Sequence, residues 1–245
     1  MSTNTKVAFI TGANRGIGLQ TAKDLGKQGV TVVLGVRDPN KAEAAVKELR
    51  AAGVTAEAIP YDAGNKATDQ AVFSHLEKKY GKLDILVNNA GMMAEDLLGT
   101  NSSTVAEDVL RTTFDTNFFA VVRLTQTLLP LIEKAPAGRI VNLSSILGSL
   151  TVHSLPESPI KQTKALGYNA SKTALNAFTV HLAAELAGTA IKVNSAHPGW
   201  VKTALGGEHA PMEIADSAKT SVRLALLGPD GPTGGFFHEG EQLPW

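Results

Sequence analysis

Cysteine is absent from the 245 residues, which removes disulfides, thiol nucleophiles and thiolate metal sites together. Catalysis, if there is any, rests on oxygen and nitrogen groups, and the composition suits a reducing cytoplasm. An excess of either charge is also missing, with Lys plus Arg and Asp plus Glu at 23 each. No global field steers the chain to nucleic acid or to an anionic membrane, and neither is expected as a partner. No uncharged apolar run is long enough to span a bilayer. The short apolar stretch after Met1-Ser2-Thr3-Asn4-Thr5-Lys6 is also too brief for a secretory core, so a soluble, untargeted, cytoplasmic protein is expected. No His pair at ligand spacing has a third ligand, which argues against a metal site. No repeat, low-complexity tract or linker divides residues 1–245, which read as one domain.

What the chain does have is Thr11-Gly12-Ala13-Asn14-Arg15-Gly16-Ile17-Gly18, set between the apolar run Val7-Ala8-Phe9-Ile10 and a helix-forming segment from Leu19 to Leu25. Gly12 allows a tight turn, Gly16 a close backbone approach to a pyrophosphate, and Gly18 close packing of helix on strand. The first N–H groups of that helix face the anion without partners of their own. Glycines also make ordinary turns, but the strand before and the helix after supply the context that phosphate binding requires.

Strand and helix signals then alternate along the chain. Val30–Val36 reads as a second buried strand, and Asp38-Pro39 as an N-cap followed by Pro in the first helical turn. Strands are expected at Thr55–Ile59, Leu83–Val87, Arg139–Leu143 and Ile191–Asn194. Helices are expected at Thr68–Tyr80, from about Val105 to Glu133, from about Ala165 to Leu186, and from about Met212 to Leu227. Such alternation implies right-handed crossovers and a doubly wound parallel sheet, about seven strands with helices on both faces. Ligands of such sheets bind outside the carboxyl ends of the strands, where the strand order reverses.

Of the three tyrosines, Tyr61, Tyr80 and Tyr168, only Tyr168 has a Lys four residues on, Lys172. On a helix that spacing places both on one face. The pair taken alone is a common coincidence, but the preceding strand ends in Leu143-Ser144-Ser145, a hydroxyl at the same end of the sheet as the glycine loop. The chain here resembles the short-chain dehydrogenase/reductase family, in its compact one-domain branch of Rossmann type. The resemblance runs from Lys6 to the C-terminus. It rests on Thr11-Gly-x-x-x-Gly16-x-Gly18, Asp62, Asn88-Asn89-Ala90-Gly91, Asn117, Ser145, Tyr168-x-x-x-Lys172 and Pro198-Gly199-x-x-x-Thr203. It implies an NAD(P)-dependent oxidoreductase of carbonyls or alcohols, with Ser145, Tyr168, Lys172 and Asn117 as the working set.

Hydride delivery to a carbonyl carbon turns its oxygen into a developing alkoxide, so a donor must stand there. Tyr168 is the expected acid. A free phenol titrates near 10, and lowering it by about three units takes ~4 kcal/mol, which Lys172 and a cationic nicotinamide would supply. The family places the orienting hydroxyl on Ser145; a strand buried on both faces shows no alternation to choose it over Ser144. Lys172 is further implied to grip the nicotinamide ribose, and Asn117 to hold a water leading from that lysine to solvent. The alternative for Asn117 is a buried side chain bonding backbone. Asn88 and Asn89 divide between bracing the sheet and lining the cleft, with Ala90 and Gly91 beside the cofactor. Asp62 is implied to contact the adenine, or else serves its turn.

Carboxylates about 20 residues past such glycines bind the 2′-hydroxyl of NAD, and Arg accommodates the 2′-phosphate of NADP. Val36-Arg37-Asp38 offers both charges. Asp38 is assigned to the helix cap, leaving Arg37, with Arg15 and its neighbour Asn14, to face the phosphate, so NADP(H) is preferred over NAD(H). Arg37 in solvent is the alternative. Pro198-Gly199-Trp200-Val201-Lys202-Thr203 resembles the segment closing over the nicotinamide, with Val201 backbone and Thr203 reaching the carboxamide. Met92, Met93, Leu97, Leu147, Trp200, Leu205 and Met212 point to an apolar pocket for a small carbonyl or alcohol substrate, although any one of them is as readily core.

Twenty-two residues separate Ser145 from Tyr168, against about a dozen in common family members, so Thr151–Thr163 is read as an inserted surface loop. Together with the tail Pro232–Phe237 it resembles the carbonyl-reductase-like members. It borders the face through which relatives associate, leaving a homo-oligomer open. His153 and His181 are expected to face solvent, and His197 to support backbone. The leading reading is an NADPH-dependent ketone or aldehyde reductase, reversible as an alcohol dehydrogenase. The alternatives are a ketoacyl-thioester reductase, which needs a basic patch at the crevice, and a non-catalytic NADP(H)-sensing module.

Overall fold

The computed structural model describes residues 5–96, 99 and 101–245. β1 (Val7–Thr11) is buried along its whole length and passes through the glycine loop into α1 (Gly16–Lys27). β2 (Thr31–Val36), α2 (Pro39–Ala51), β3 (Ala56–Pro60), α3 (Ala67–Tyr80) and β4 (Ile85–Asn88) continue the alternation. The Asp38 side chain accepts from the Asn40 and Lys41 amides at 2.9 and 3.4 Å, with Pro39 in the first turn, so the cap of α2 forms as its residues dictate.

The helix expected from about Val105 to Glu133 runs unbroken from Glu107 to Glu133, with a wider turn inside it. α4 (Glu107–Phe114) and α5 (Ala120–Glu133) flank a π-helical turn, Asp115–Phe119, centred on the fully buried Asn117. Wide turns of this kind cluster at functional sites, and here the turn aims a carboxamide out of the helix.

β5 (Arg139–Leu143) leads through a 3-10 turn, Ile146–Gly148, to α6 (Leu150–Ser154). The inserted segment is thus not all loop: Ser149 caps α6 by accepting from the Val152 amide at 3.1 Å, and Val152 is buried. α7 (Leu166–Glu185), β6 (Lys192–Ala196), α8 (Lys219–Ala225), β7 (Phe236–His238) and β8 (Glu241–Gln242) complete the chain. The helix expected from Met212 shrinks to α8 and a 3-10 turn at Ile214–Asp216. Met212 is drawn off because its amide donates to the Trp200 carbonyl at 3.1 Å and its carbonyl accepts from Lys202 at 2.9 Å.

One eight-stranded sheet runs in the order β3-β2-β1-β4-β5-β6-β7-β8, parallel except for the antiparallel β7–β8 pair at its edge. That terminal hairpin was not among the expected strands. Its Phe236 is fully buried beside Ser195 of β6, and burying such a ring is worth about 1.5–3 kcal/mol. Both faces are covered. Val7 and Phe9 pack toward Leu76, Leu124 and Leu128 of α3 and α5, while Ala8 and Ile10 pack toward Ala22, Leu25 and Leu224 of α1 and α8. The strand order reverses beside β1, between β2 and β4, which opens a crevice at the carboxyl end of β1.

Candidate active site

At that crevice lies a cavity of about 1260 Å³ that takes in the glycine loop at one end and Ser145, Tyr168 and Lys172 at the other. Gly12 and Gly16 adopt positive φ of 65° and 57°, which L-residues rarely adopt. A Cβ on Gly12 would stand 3.1 Å from Cα of Ala90, and one on Gly18 only 2.5 Å from Nδ2 of Asn89. The loop therefore lies flat against the chain after β4. Asn89 fastens it, donating from Nδ2 to the carbonyls of Thr11 at 2.7 Å and Gly12 at 3.3 Å. Thr11 Oγ1 answers by accepting from the amides of Asn89 and Ala90. α1 has no side-chain cap, so its first amides point into the cavity with the helix dipole behind them, an anion site.

Arg15, Arg37, Asn14 and Ile17 line the same end, and among the described residues neither guanidinium forms an ion pair. Asp38 is spent on the α2 cap. Asp62 lines the wall and serves its turn by accepting from the Gly64 amide at 3.0 Å. Gly91, Pro198, Gly199, Val201 and Thr203 line the other half.

Asn88 and Asn89 divide as expected. Asn88 Nδ2 donates to Asn142 at 2.8 Å and to Thr125 at 3.1 Å; Asn142 donates to Thr179, which pairs with Ser195 at 2.8 Å. This buried chain ties β4, β5, β6 and α7 together behind the site, and buried polar groups linked in this way stiffen a core. Asn142 and Thr179 carry no spacing signal in the sequence.

Ser144, Ser145 and Tyr168 all line the cavity, but of the two serines only Ser145 acts on the phenol. Ser145 accepts from the Leu147 amide at 3.2 Å and stands close enough to the Tyr168 phenol to act on its acidity. Among the described residues the buried Ser144 hydroxyl has no hydrogen-bond partner. Lys172 donates from Nζ to the Leu143 carbonyl at 2.7 Å, an acceptor that no side-chain pattern could reveal. The protein's own groups act on the phenol without the nicotinamide charge that the expected lowering includes. Burial pushes Tyr168 up to about 12, with the Ser145 hydroxyl pulling partly back. Burial also drops Lys172 to about 8.

Asn117 does not line the cavity. Its carboxamide pairs with Met92, accepting from the amide and donating to the carbonyl, each at 2.8 Å, and donates to Ser171 Oγ at 3.0 Å. The backbone it bonds is that of the segment after β4, outside its own helix. His197 supports backbone by accepting from the Ile146 amide at 3.3 Å, and burial beside His238 holds it down to about 3, hence neutral. His181 is exposed, whereas His153 is half-buried, with its Nε2 3.0 Å from the Leu147 carbonyl.

Of the residues expected to form an apolar pocket, Met92 and Leu205 line the cavity. Met212 instead covers Gly199, Trp200 is 53% exposed and bonds the Gly206 carbonyl, and Leu147 and Met93 lie off the wall. Leu97 lies outside the described residues. Thr112, Thr116 and Glu208 add polar groups, so the wall is mixed. Among the described residues there is no cluster of three or more metal-ligating side chains and no helix long and apolar enough to cross a membrane.

Comparison with known proteins agrees with this geometry. The family model for short chain dehydrogenases matches residues 6–214. Carbonyl reductase 1 (NADPH) of Sus scrofa is 33% identical, with all of this chain and 96% of that protein covered. Short-chain dehydrogenase/reductase 1 of Saponaria officinalis is 30% identical, over 98% of this chain and 96% of the other. Carbonyl reductase Sniffer of D. melanogaster superposes with a TM-score of 0.84 at 28% identity, over 99% and 100% of the two chains. The NADPH-bound carbonyl reductase from chicken fatty liver gives 0.85 at 25% identity, over 98% and 99%. With its fold, its glycine cradle and the Ser145, Tyr168 and Lys172 cluster accounted for, the chain belongs to the short-chain dehydrogenase family.

Proposed function

We propose that this protein is an NADPH-dependent carbonyl reductase, acting reversibly on ketones or aldehydes and the corresponding alcohols as a cytoplasmic enzyme of one domain. The observation that carries the reading is the convergence of Ser145, Tyr168 and the buried Lys172 on one cavity that begins at the glycine loop. The residues present fit the dinucleotide: the cradle at Gly12, Gly16 and Gly18 leaves no room for a Cβ at two of its three positions, and α1 offers bare amides to the pyrophosphate. Arg37 and Arg15 would hold the 2′-phosphate, Asp62 the adenine, and Val201 and Thr203 the carboxamide. Bound there, the cofactor supplies hydride to the carbonyl carbon. Tyr168 gives its phenolic proton to the carbonyl oxygen, and Ser145 hydrogen-bonds that oxygen where charge develops. Lys172, held by the Leu143 carbonyl, stabilises the phenolate left behind and grips the ribose. Asn117 fixes the floor beneath Lys172 through Met92 and Ser171.

The carrier-protein reading finds less support, because Lys202 at the cavity mouth is paired with Glu213 and Glu208 adds negative charge beside it. A pure sensor has no use for a buried acid facing a serine. The test is NADPH oxidation across ketones, aldehydes and ketoesters, repeated with NADH and with Tyr168→Phe. Reduction with NADPH preferred, lost by at least about a hundredfold in the variant while NADPH still binds, is the expected result. Tight binding with no turnover of any carbonyl would favour the sensor.

A further inference from the structure

Glu95 is 8% exposed, sits in the segment that leaves β4, and touches neither the cavity nor an ion-pair partner among the described residues. Its Oε2 accepts the backbone N–H of Tyr168 at 2.8 Å, and its Oε1 is buried with no hydrogen-bond partner. Tyr168 is the third residue of α7, a helix whose own N-cap position, Ala165, has no capping side chain. Glu95 thus supplies from a distant loop the acceptor that Ser, Thr or Asp ordinarily provides in place.

The other side of the same residue is held as well. Ser171 Oγ donates to the Tyr168 carbonyl at 2.8 Å and accepts from Asn117 Nδ2, and Asn117 grips Met92, three residues before Glu95. The contacts close a circuit, from the Tyr168 amide through Glu95 and its loop to Met92, Asn117, Ser171 and back to the Tyr168 carbonyl. Gly167 is fitted to it. A Cβ there would stand 2.7 Å from Glu95 Oε2 and 3.0 Å from Leu110 Cδ2, although the helical backbone at Gly167 needs no glycine on conformational grounds.

We propose that Glu95 is a positioning residue that fixes the backbone of Tyr168, and through it the phenol against Ser145, and that Gly167 is glycine to admit its carboxyl group. This deepens the proposed reductase function and rests on Tyr168 being its acid. Glu95→Gln keeps an acceptor oxygen in place; Glu95→Ala removes it, and Glu95→Asp withdraws it by one methylene.

The experiment measures NADPH-dependent reduction of benzaldehyde and ethyl acetoacetate by the full-length protein, the NADPH dissociation constant by nucleotide fluorescence, and hydrogen exchange at the Tyr168 amide. Glu95→Ala and Glu95→Asp are expected to lower kcat by roughly tenfold to a hundredfold, because small misplacements of a reacting group cost that much. NADPH affinity stays unchanged, the Tyr168 amide exchanges faster, and Glu95→Gln restores most of kcat and of the protection. Gly167→Ala lowers kcat in the native background but adds nothing to Glu95→Ala. The proposal is overturned if Glu95→Ala keeps native kcat while only its melting temperature falls, if Glu95→Gln is as impaired as Glu95→Ala, or if the Gly167→Ala effect is undiminished in the Glu95→Ala background. A native protein that binds NADPH yet reduces neither compound, nor any other carbonyl, would sink the parent reading and this one with it.

Discussion

Lys172 Nζ lies 5.7 Å from the centre of the Tyr168 ring, and burial drives the two groups apart in acidity, the ammonium down to about 8 and the phenol up to about 12. Each is held in the form a proton-transfer site needs at neutral pH: a protonated phenol beside a lysine that releases its proton with little penalty.

The lysine has a measurable consequence for stability. Its folded pKa lies below the unfolded value of 10.5, so the unfolded chain binds more protons between about pH 8 and 10.5, and stability rises with pH across that window. The cost of burying the charge is full below pH 8. Lys172→Met abolishes this dependence. The stability advantage of the variant over the native protein is expected to shrink by on the order of 3 kcal/mol between pH 7 and 11. Urea unfolding of both proteins across that range checks it, and a constant difference would mean that Lys172 titrates as an exposed lysine.

The two serines after β5 separate cleanly by partner. Ser145→Ala is expected to lower kcat by at least about tenfold, through loss of the hydroxyl beside the phenol and of its hydrogen bond to the substrate oxygen. Ser144→Ala removes a buried hydroxyl that has no partner among the described residues, so kcat holds and stability is unchanged or slightly higher. Equal kinetic losses in the two variants would dismiss the assignment.

For cofactor choice, Arg37→Ala is expected to raise KM for NADPH by roughly tenfold to a hundredfold, the worth of a charge-assisted phosphate contact, with KM for NADH little changed. Asp38→Ala serves as the contrast: losing the α2 cap costs about 1 kcal/mol of stability and leaves the NADPH preference alone. Steady-state kinetics with both nucleotides decides the matter.

Asn117→Ala leaves the Met92 amide and carbonyl unpaired in a partly buried segment, and is expected to destabilise the protein by about 1–3 kcal/mol. Because Asn117 props the loop beneath Lys172, kcat falls too. Thermal unfolding and kcat measured on the same preparation test both, and loss of activity with a native melting temperature would point back to a water relay.

Much of the site was legible in residue order. The glycines at 12, 16 and 18 sit where a buried strand becomes a helix, and that local context fixes a phosphate cradle whatever the rest of the chain does. Asp38-Pro39 announces the α2 cap, and it leaves Arg37 free of that task. Tyr168 and Lys172 share a helix face by spacing alone. The terminal hairpin was missed because β7 and β8 are too short to leave a period, and the π turn because nothing in Asp115-Thr116-Asn117-Phe118-Phe119 distinguishes a wide turn from a tight one.

By itself, then, the sequence determined the alternation of strands and helices, the end of the sheet that binds, and the family, since these follow from local apolar runs, caps and glycines. Only the tertiary structure decided which serine meets the phenol, because a strand buried on both faces carries no alternation. It alone turned Asn117 toward Met92, held Met212 out of a helix and set Glu95 under Tyr168, since each of these contacts joins segments far apart in the chain. It also set how deeply the phenol is buried, because burial is a property of the packed molecule and of no stretch of residues.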